Sequence, residues 1–423
     1  MRIILKIIGS LRPIVNNCKG VDMEVKNKRD VPKIRFNIYR KKWKKKKFKD
    51  FTKLSQGLQI AISDRFTEDA ETRHFYITNE FLNPNSRKKY YIESPSENVI
   101  CTVDDILMTR TGNTGKVITN VSGAFHNNFF KVTYEKNDTA KLFLYYLLLS
   151  YDVQKEILIR AGNSTIPDLN HGDFYSIKTF IPIVEEQSAI GSLFRTLDDL
   201  LSSYKDNLAN YQSLKATMLS KMFPKAGKIV PEIRLDGFEG EWEKLKLRDI
   251  VHTNPKSELP ENFKYIDLES VVGTRINQIR EECKESAPSR AQRLAKKGDV
   301  FYQTVRPYQK NNYLFKLDEI DYVFSTGYAQ LRPIFKRCDS DFLLILLQNN
   351  RFLSKVLDRC TGTSYPAINV NDLIEILIAI PSYEEQQAIG AYFSNLDNLI
   401  SAHQEKISQL ETLKKKLLQD MFI

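Results

Sequence analysis

The sequence predicts an α+β fold: two mixed α/β domains separated by two long helices that form an antiparallel coiled coil, an internal repeat with pseudo-two-fold symmetry. Three observations carry this. The stretch from Ile181 to Phe223 (IPIVEEQSAIGSLFRTLDDLLSSYKDNLANYQSLKATMLSKMF) is told again from Ile380 to Phe422. A second matched pair, VPKIRFNIYRKKWKKKKFKDF from Val31 and VPEIRLDGFEGEWEKLKLRDI from Val230, has the same offset of 199 residues. Between these anchors lie two blocks that share little sequence yet keep a few marks in step.

In chain order, residues 1–30 precede anything that repeats and read as an N-terminal extension, with Met23 shortly before the repeat. The first block spans 31–183 and is followed by a helix over 184–224; the second spans 225–382, and a C-terminal helix covers 383–423. Inside the blocks, Pro167, Asn170 and Asp173 return as Pro366, Asn369 and Asp372, each set just after a Gly-rich turn (AGNST, TGTS). Each block also holds an acidic-then-apolar strand leading into a polar loop, DDILMTRTGNTGKV from Asp104 and GDVFYQTVRPYQKN from Gly298. Alternation and β-branching place short strands at 99–103, 117–119 and 322–324, whereas 142–159 and 342–357 read as helical.

Each long helix opens with a Pro near its entry and two glutamates in the first turn, where they suit the helix dipole. Its apolar positions then recur at the 3.5-residue period of a coiled-coil seam. The seam residues are Ile190, Phe194, Leu197, Leu201, Tyr204, Leu208 and Tyr211 in the first copy, and Ile389, Phe393, Leu396, Ile400, His403, Ile407 and Leu410 in the second. Each copy is most simply the other's partner. A helix of ~39 residues is ~58 Å long, and a block of ~160 residues is only ~40 Å across, so antiparallel pairing spares the second block from bridging the whole helix. Pairing about the helix middles gives partners whose numbers sum to 604, with Lys215 facing Ile389 near Glu385 and Lys414 facing Ile190 near Glu186. A slip of one heptad, to 611 or 597, is the main alternative.

With 42% hydrophobic residues, 24 Phe and 20 Tyr, the 423-residue chain has ample material for packed cores. The five cysteines are scattered and never spaced C-x-x-C, which indicates neither a disulfide framework nor a zinc ribbon, so a reducing cytoplasm fits best. The longest apolar run, Leu142 to Leu149, falls far short of the ~20 residues that span a bilayer. A net charge of +11 points toward a polyanion.

No stretch of the sequence carries a catalytic motif. Gly112-Asn-Thr-Gly115-Lys116-Val117 lacks both the spacing and the hydroxyl of a phosphate loop, and the five histidines form no metal-ligand pair. The sequence has no nucleophile elbow, no dinucleotide fingerprint and no Asn/Asp-Pro-Pro-aromatic motif of amino-methyltransferases, so no catalytic and no metal residue is assigned. The polar loops are better candidates. Arg110, Thr111, Asn113, Thr114 and Lys116 in the first, and Gln303, Arg306, Tyr308, Gln309 and Lys310 in the second, are side chains that read base edges or clamp phosphates. The run from Arg40 to Lys49 (RKKWKKKKFK) would also suit a phosphate backbone, while its repeat counterpart carries Glu239, Glu241 and Glu243.

Over residues 31–423 the chain resembles the DNA specificity subunit of type I restriction-modification systems. The resemblance is carried by IPIVEEQSAIGSLFRTLDD and IPSYEEQQAIGAYFSNLDN, by LDGFEGEW from Leu235, by DILMTRTGNTGKV, and by APSRAQR with KKGDVFYQTVRPY from Ala287. It implies two target-recognition domains, each reading half of a bipartite double-stranded DNA site. The paired helices would set the spacing and dock two methyltransferase subunits. Methylation, ATP hydrolysis and cleavage, with S-adenosylmethionine, ATP and Mg2+, would belong to the methyltransferase and restriction subunits, with no cofactor in this chain and no membrane partner. The first lead-in departs from the pattern, with KKWKKKK in place of an acidic GFEGEW. The rival readings are a coiled-coil scaffold whose end domains bind proteins and a fused methyltransferase-nuclease fragment.

Overall fold

The computed structural model describes residues 31–83, 85–162 and 165–423, together with the backbone of a strand at Leu11–Pro13. Apart from that strand, the extension expected over 1–30 lies outside the described residues. The chain divides into two compact units, the first comprising residues up to Tyr204 together with Lys406–Ile423, the second Lys205–Glu405.

The first unit is built on two four-stranded sheets and a two-stranded ladder. One sheet runs Thr52–Gln56, Phe129–Tyr134, Ile106–Thr109, Val117–Thr119, and every neighbouring pair in it is antiparallel. The second runs Tyr91–Glu93, Arg73–Ile77, Gly123–Phe125, Ile100–Cys101, with one parallel pair between Arg73–Ile77 and Gly123–Phe125. In the ladder Lys44–Lys47 pairs with Lys178–Ile181. The helices are α1 (Lys141–Leu149), α2 (Tyr151–Ala161), α3 (His171–Ser176) and the long α4 (Val184–Lys221), which enters the second unit at Lys205.

The second unit repeats this plan with α5 (Ser340–Gln348), α6 (Asn350–Leu357), α7 (Val370–Ile374) and the long α8 (Tyr383–Asp420), whose last turns belong to the first unit. Its ladder joins Glu243–Lys246 to Leu377–Ile380, and its sheets run Val251–Thr253, Tyr328–Pro333, Val300–Gln303, Tyr313–Leu314 and Arg280–Cys283, Asn262–Ile266, Tyr322–Ser325, Ala291–Leu294. Each helical stretch expected as one piece is two, broken at Ser150 and Asn349. Asn349 accepts from the Arg351 N–H as an N-cap, and the Ser150 hydroxyl bonds back to the Leu147 carbonyl.

The repeated Glu-Glu-Gln is explained by buried polar contacts that fasten the long helix to its domain. In the first unit Glu186, fully buried, accepts two hydrogen bonds from the Arg35 guanidinium at 2.7 Å. Glu385 does the same for Arg234 at 2.8 and 2.6 Å. The neighbouring Gln187 accepts from the Ala140 N–H ahead of α1, and Gln386 accepts from the Asp339 N–H ahead of α5. Gly191 lies so close to α1 that a Cβ there would fall 2.6 Å from that of Leu142.

Within each unit, one half of α4 packs antiparallel against one half of α8. In the first unit Phe194 faces Phe422 and Asp198 pairs with Lys414; in the second Tyr211 meets His403 and Lys215 pairs with Asp397. Both lysine pairs sum to 612, so the register of 604 is wrong and the one-heptad slip to 611 lies within a residue of the observed pairing. Asp198 and Asp397, not Glu186 and Glu385, are the lysines' partners, because both glutamates are already held by the lead-in arginines. Ile190, Phe194, Leu197 and Leu201 are buried in the first unit with Leu410, Leu417 and Phe422; Ile389, Phe393 and Leu396 are buried in the second with Met222 and Phe223. Tyr204, Leu208, Tyr211, Ile400, His403 and Ile407, nearer the helix middles, are half-buried.

Candidate nucleic-acid interface

In both units the polar loop leaves the end of a strand buried at all four positions, Ile106–Thr109 and Val300–Gln303. In both it is then joined to the segment after the Gly-rich turn. The Leu169 N–H donates to the Arg110 carbonyl at 2.9 Å, and the Ile368 N–H to the Thr304 carbonyl at 3.0 Å. Two marks that the sequence keeps in step are thus one structure. Asn170 and Asn369 serve it as N-caps, accepting from the N–H groups of Asp173 and Asp372 at 2.9 and 2.8 Å.

The first loop turns through left-handed conformations at Gly112, Asn113 and Gly115 (φ 61°, 57° and 90°), which glycine and asparagine tolerate best. The Thr109 hydroxyl closes it by donating to the Asn113 carbonyl at 2.6 Å. Arg110 donates to the Asp168 carboxylate at 2.6 Å, and the Thr111 hydroxyl bonds the same group. The Thr114 hydroxyl lies 2.7 Å from the Pro167 carbonyl. The side chains of Asn113 and Lys116 are exposed. Beside the loop, burial and the Arg110 charge hold His171 below its ordinary pKa.

The second loop is shaped by left-handed Arg306 and Lys310, both at φ 55°, on either side of a single 3-10 turn at Pro307–Gln309. Gln303 is 1% exposed, donates to Gln309 at 2.8 Å and accepts from the Asn311 N–H, so it braces the loop from inside. Lys310 also points inward, its Nζ donating to the Gln348 carbonyl at 2.8 Å and to Asn350. Burial lowers its pKa below the usual lysine value. For these two residues the expectation of direct DNA contact does not fit the geometry. Tyr308 and Gln309 are exposed, and the Arg306 guanidinium lies 4.2 Å from the centroid of the Tyr365 ring.

Tyr365 was missed by sequence reasoning. It is 64% exposed, and its counterpart Ile166 is 62% exposed, each just before the shared proline. The signal was present: these are bulky apolar residues at one offset, each after a Gly-rich turn. The first loop presents an amide and an ammonium, and the second a phenol, an amide and a guanidinium beside an aromatic face, donor-rich sets suited to base edges and phosphates. Among the described residues no group of His, Cys, Asp and Glu could hold a metal ion, and no helix is long and apolar enough to cross a membrane.

Comparison with known proteins finds the internal repeat as well. The type I restriction modification DNA specificity domain matches twice, over residues 40–210 and 239–412. The type I restriction enzyme MjaVIII specificity subunit of Methanocaldococcus jannaschii is 25% identical over 399 residues, covering 89% of this chain and 91% of that protein. The type I restriction enzyme HindI specificity subunit of Haemophilus influenzae is 26% identical over 166 residues, covering 38% and 36%. The crystal structure of a type I restriction-modification system S subunit from M. genitalium has the same fold, with a TM-score of 0.61 at 16% identity, over 93% of this chain and 99% of that one. With the specificity domain matched in both halves, the chain belongs to the type I restriction-modification DNA specificity family, as a DNA-binding specificity subunit with two recognition domains.

Proposed function

We propose that the two recognition domains, over 31–183 and 225–382, each read one half of a bipartite DNA target, and that the helices over 184–224 and 383–423 fix the distance between the halves. The carrying observation is that both units present the same construction, a buried strand ending in a polar loop seated on a capped turn, with different side chains on it. An identical scaffold with divergent tips is what reading two unlike half-sites requires. Asn113 and Lys116 in the first loop, and Tyr308 and Gln309 in the second, are the base- or phosphate-contacting candidates. Arg110, Thr111, Thr114 and Arg306 hold them from beside, and Gln303 and Lys310 from within.

The chain is the DNA-binding component of an assembly whose catalysis lies in other subunits. The paired helices dock two methyltransferase subunits, with restriction subunits completing the complex in the cytoplasm. S-adenosylmethionine, ATP and Mg2+ are used on those partners. The test is methylome sequencing of a host carrying Asn113→Ala/Lys116→Ala or Tyr308→Ala/Gln309→Ala. Each pair should relax or abolish recognition of one half-site, with about 1–3 kcal/mol of discrimination disappearing at each base that is no longer read. Unchanged methylation with both pairs altered would remove the loops from the reading.

A further inference from the structure

We infer that the first unit carries a second, sequence-independent DNA contact, a lysine-rich ladder that grips the phosphate backbone and is far more positive than the corresponding ladder of the second unit. The inference rests on the DNA-reading function above and adds a site to it. Lys44–Lys47 and Lys178–Ile181 form a two-stranded antiparallel ladder in which Lys47 stands directly opposite Lys178. Like charges placed across a strand pair are destabilising. The second unit builds the same ladder from Glu243–Lys246 and Leu377–Ile380, with Lys246 opposite Leu377. Lys244, Lys246 and Arg248 repeat Lys45, Lys47 and Lys49, but Lys44, Lys46 and Lys178 are replaced by Glu243, Leu245 and Leu377, so the fold does not need those three lysines.

The surroundings differ in the same direction. Arg40, Lys42 and Lys44 stand where the second unit has Glu239, Glu241 and Glu243. In the second unit Glu375 bonds both Lys246 and Arg248. Its equivalent is Ser176, whose hydroxyl donates instead to the Asp173 carbonyl, which leaves Lys47 and Lys49 without that carboxylate. Trp43 is buried as Trp242 is, so the strand is seated alike in both units and only its outer chemistry has changed. Lys44, Lys45, Lys49 and Lys178 are exposed. A shallow depression of about 440 Å³ is lined by five lysines and a single carboxylate, Asp50, which accepts the Lys47 backbone N–H at 2.7 Å.

A concentrated positive strip of this kind, lined by one carboxylate among the described residues, is relieved by a dense array of negative charge. Duplex DNA supplies one charge per ~1.7 Å of helix axis. The backbone is also the part of the duplex that carries no sequence information, which suits a strip whose excess charge in one unit sets affinity and orientation rather than target.

The experiment uses the full chain assembled with its methyltransferase subunits. Binding to duplexes with and without the target is measured over a range of salt for the wild type, for Lys44→Gln/Lys46→Gln/Lys47→Gln/Lys49→Gln, and for the same four positions changed to Arg. The Gln variant should weaken binding to both duplexes by the same factor, tenfold or more near physiological salt. Its slope of log K against log salt should become shallower by about 0.9 for each phosphate that is no longer neutralised, and the methylated sequence should not change. The Arg variant should bind as the wild type does. An unchanged salt slope, a weakening confined to the target duplex, or failed assembly with unchanged DNA affinity would overturn the inference, the last outcome assigning the strip to protein docking. A wild-type complex without any target preference would instead refute the function on which the inference rests.

Discussion

Glu186→Gln is the residue change that bears most directly on how the long helix is held. It removes the charge from a carboxylate that is fully buried and leaves Arg35, only 6% exposed, with no ionised partner among the described residues. Stranding one member of a buried pair is expected to destabilise the fold by about 3–5 kcal/mol. Replacing both members with apolar residues should recover much of that loss, as urea denaturation of the single and double variants would reveal. A double variant no more stable than the single would contradict it. The glutamates in the first helical turn were legible from sequence as dipole partners; their arginines were not, since Arg35 and Glu186 are 151 residues apart and nothing local marks the pair. The loops show the same limit. Gln303 and Lys310 have the composition of DNA-reading side chains, and only the left-handed turns at Arg306 and Lys310 decide that they face inward.

At the scale of elements, the two long helices, their seam and their antiparallel sense were readable because apolar period and chain length constrain them strongly. Register was not. A heptad pattern maps onto itself after seven residues, so the same apolar pairing serves several offsets. What selects among them lies at the helix ends, where Phe422 packs on Phe143 and Phe194 in the first unit and Phe223 packs on Trp242 and Phe342 in the second. The lysine–aspartate pairs give the register a direct test. Lys215→Asp and Asp397→Lys should each destabilise the protein, and together should restore part of the loss, with a coupling of about 0.5–1 kcal/mol for a half-exposed pair. Lys215→Asp combined with Glu385→Lys, the partnership expected at 604, should show no such coupling. The reverse result in a double-mutant cycle would reinstate the 604 register.

For the whole molecule, the internal repeat predicts what half of it can do. The first unit's core is closed by Leu417, Met421 and Phe422, which stand 199 residues beyond Met218, Met222 and Phe223. A chain of residues 23–224 therefore carries its own version of the missing closure. Two copies should pair antiparallel with Lys215 against Asp198, a sum of 413. Pairing becomes bimolecular and loses an effective concentration on the order of mM, so assembly with the methyltransferase partner should depend on protein concentration. The dimer should then recognise a palindrome, because protein two-fold symmetry is mirrored in the DNA site. Analytical ultracentrifugation and methylome sequencing check the two parts, and a monomer at tens of micromolar or an asymmetric site would contradict them. The account's central claim is that each block reads its own half of the target on a shared scaffold. Its most direct test replaces residues 45–180 with the corresponding block of another family member and sequences the host methylome. The claim predicts a new target in which one half-site changes while the other half-site and the spacer length stay as they were, and a change in both half-sites would contradict it.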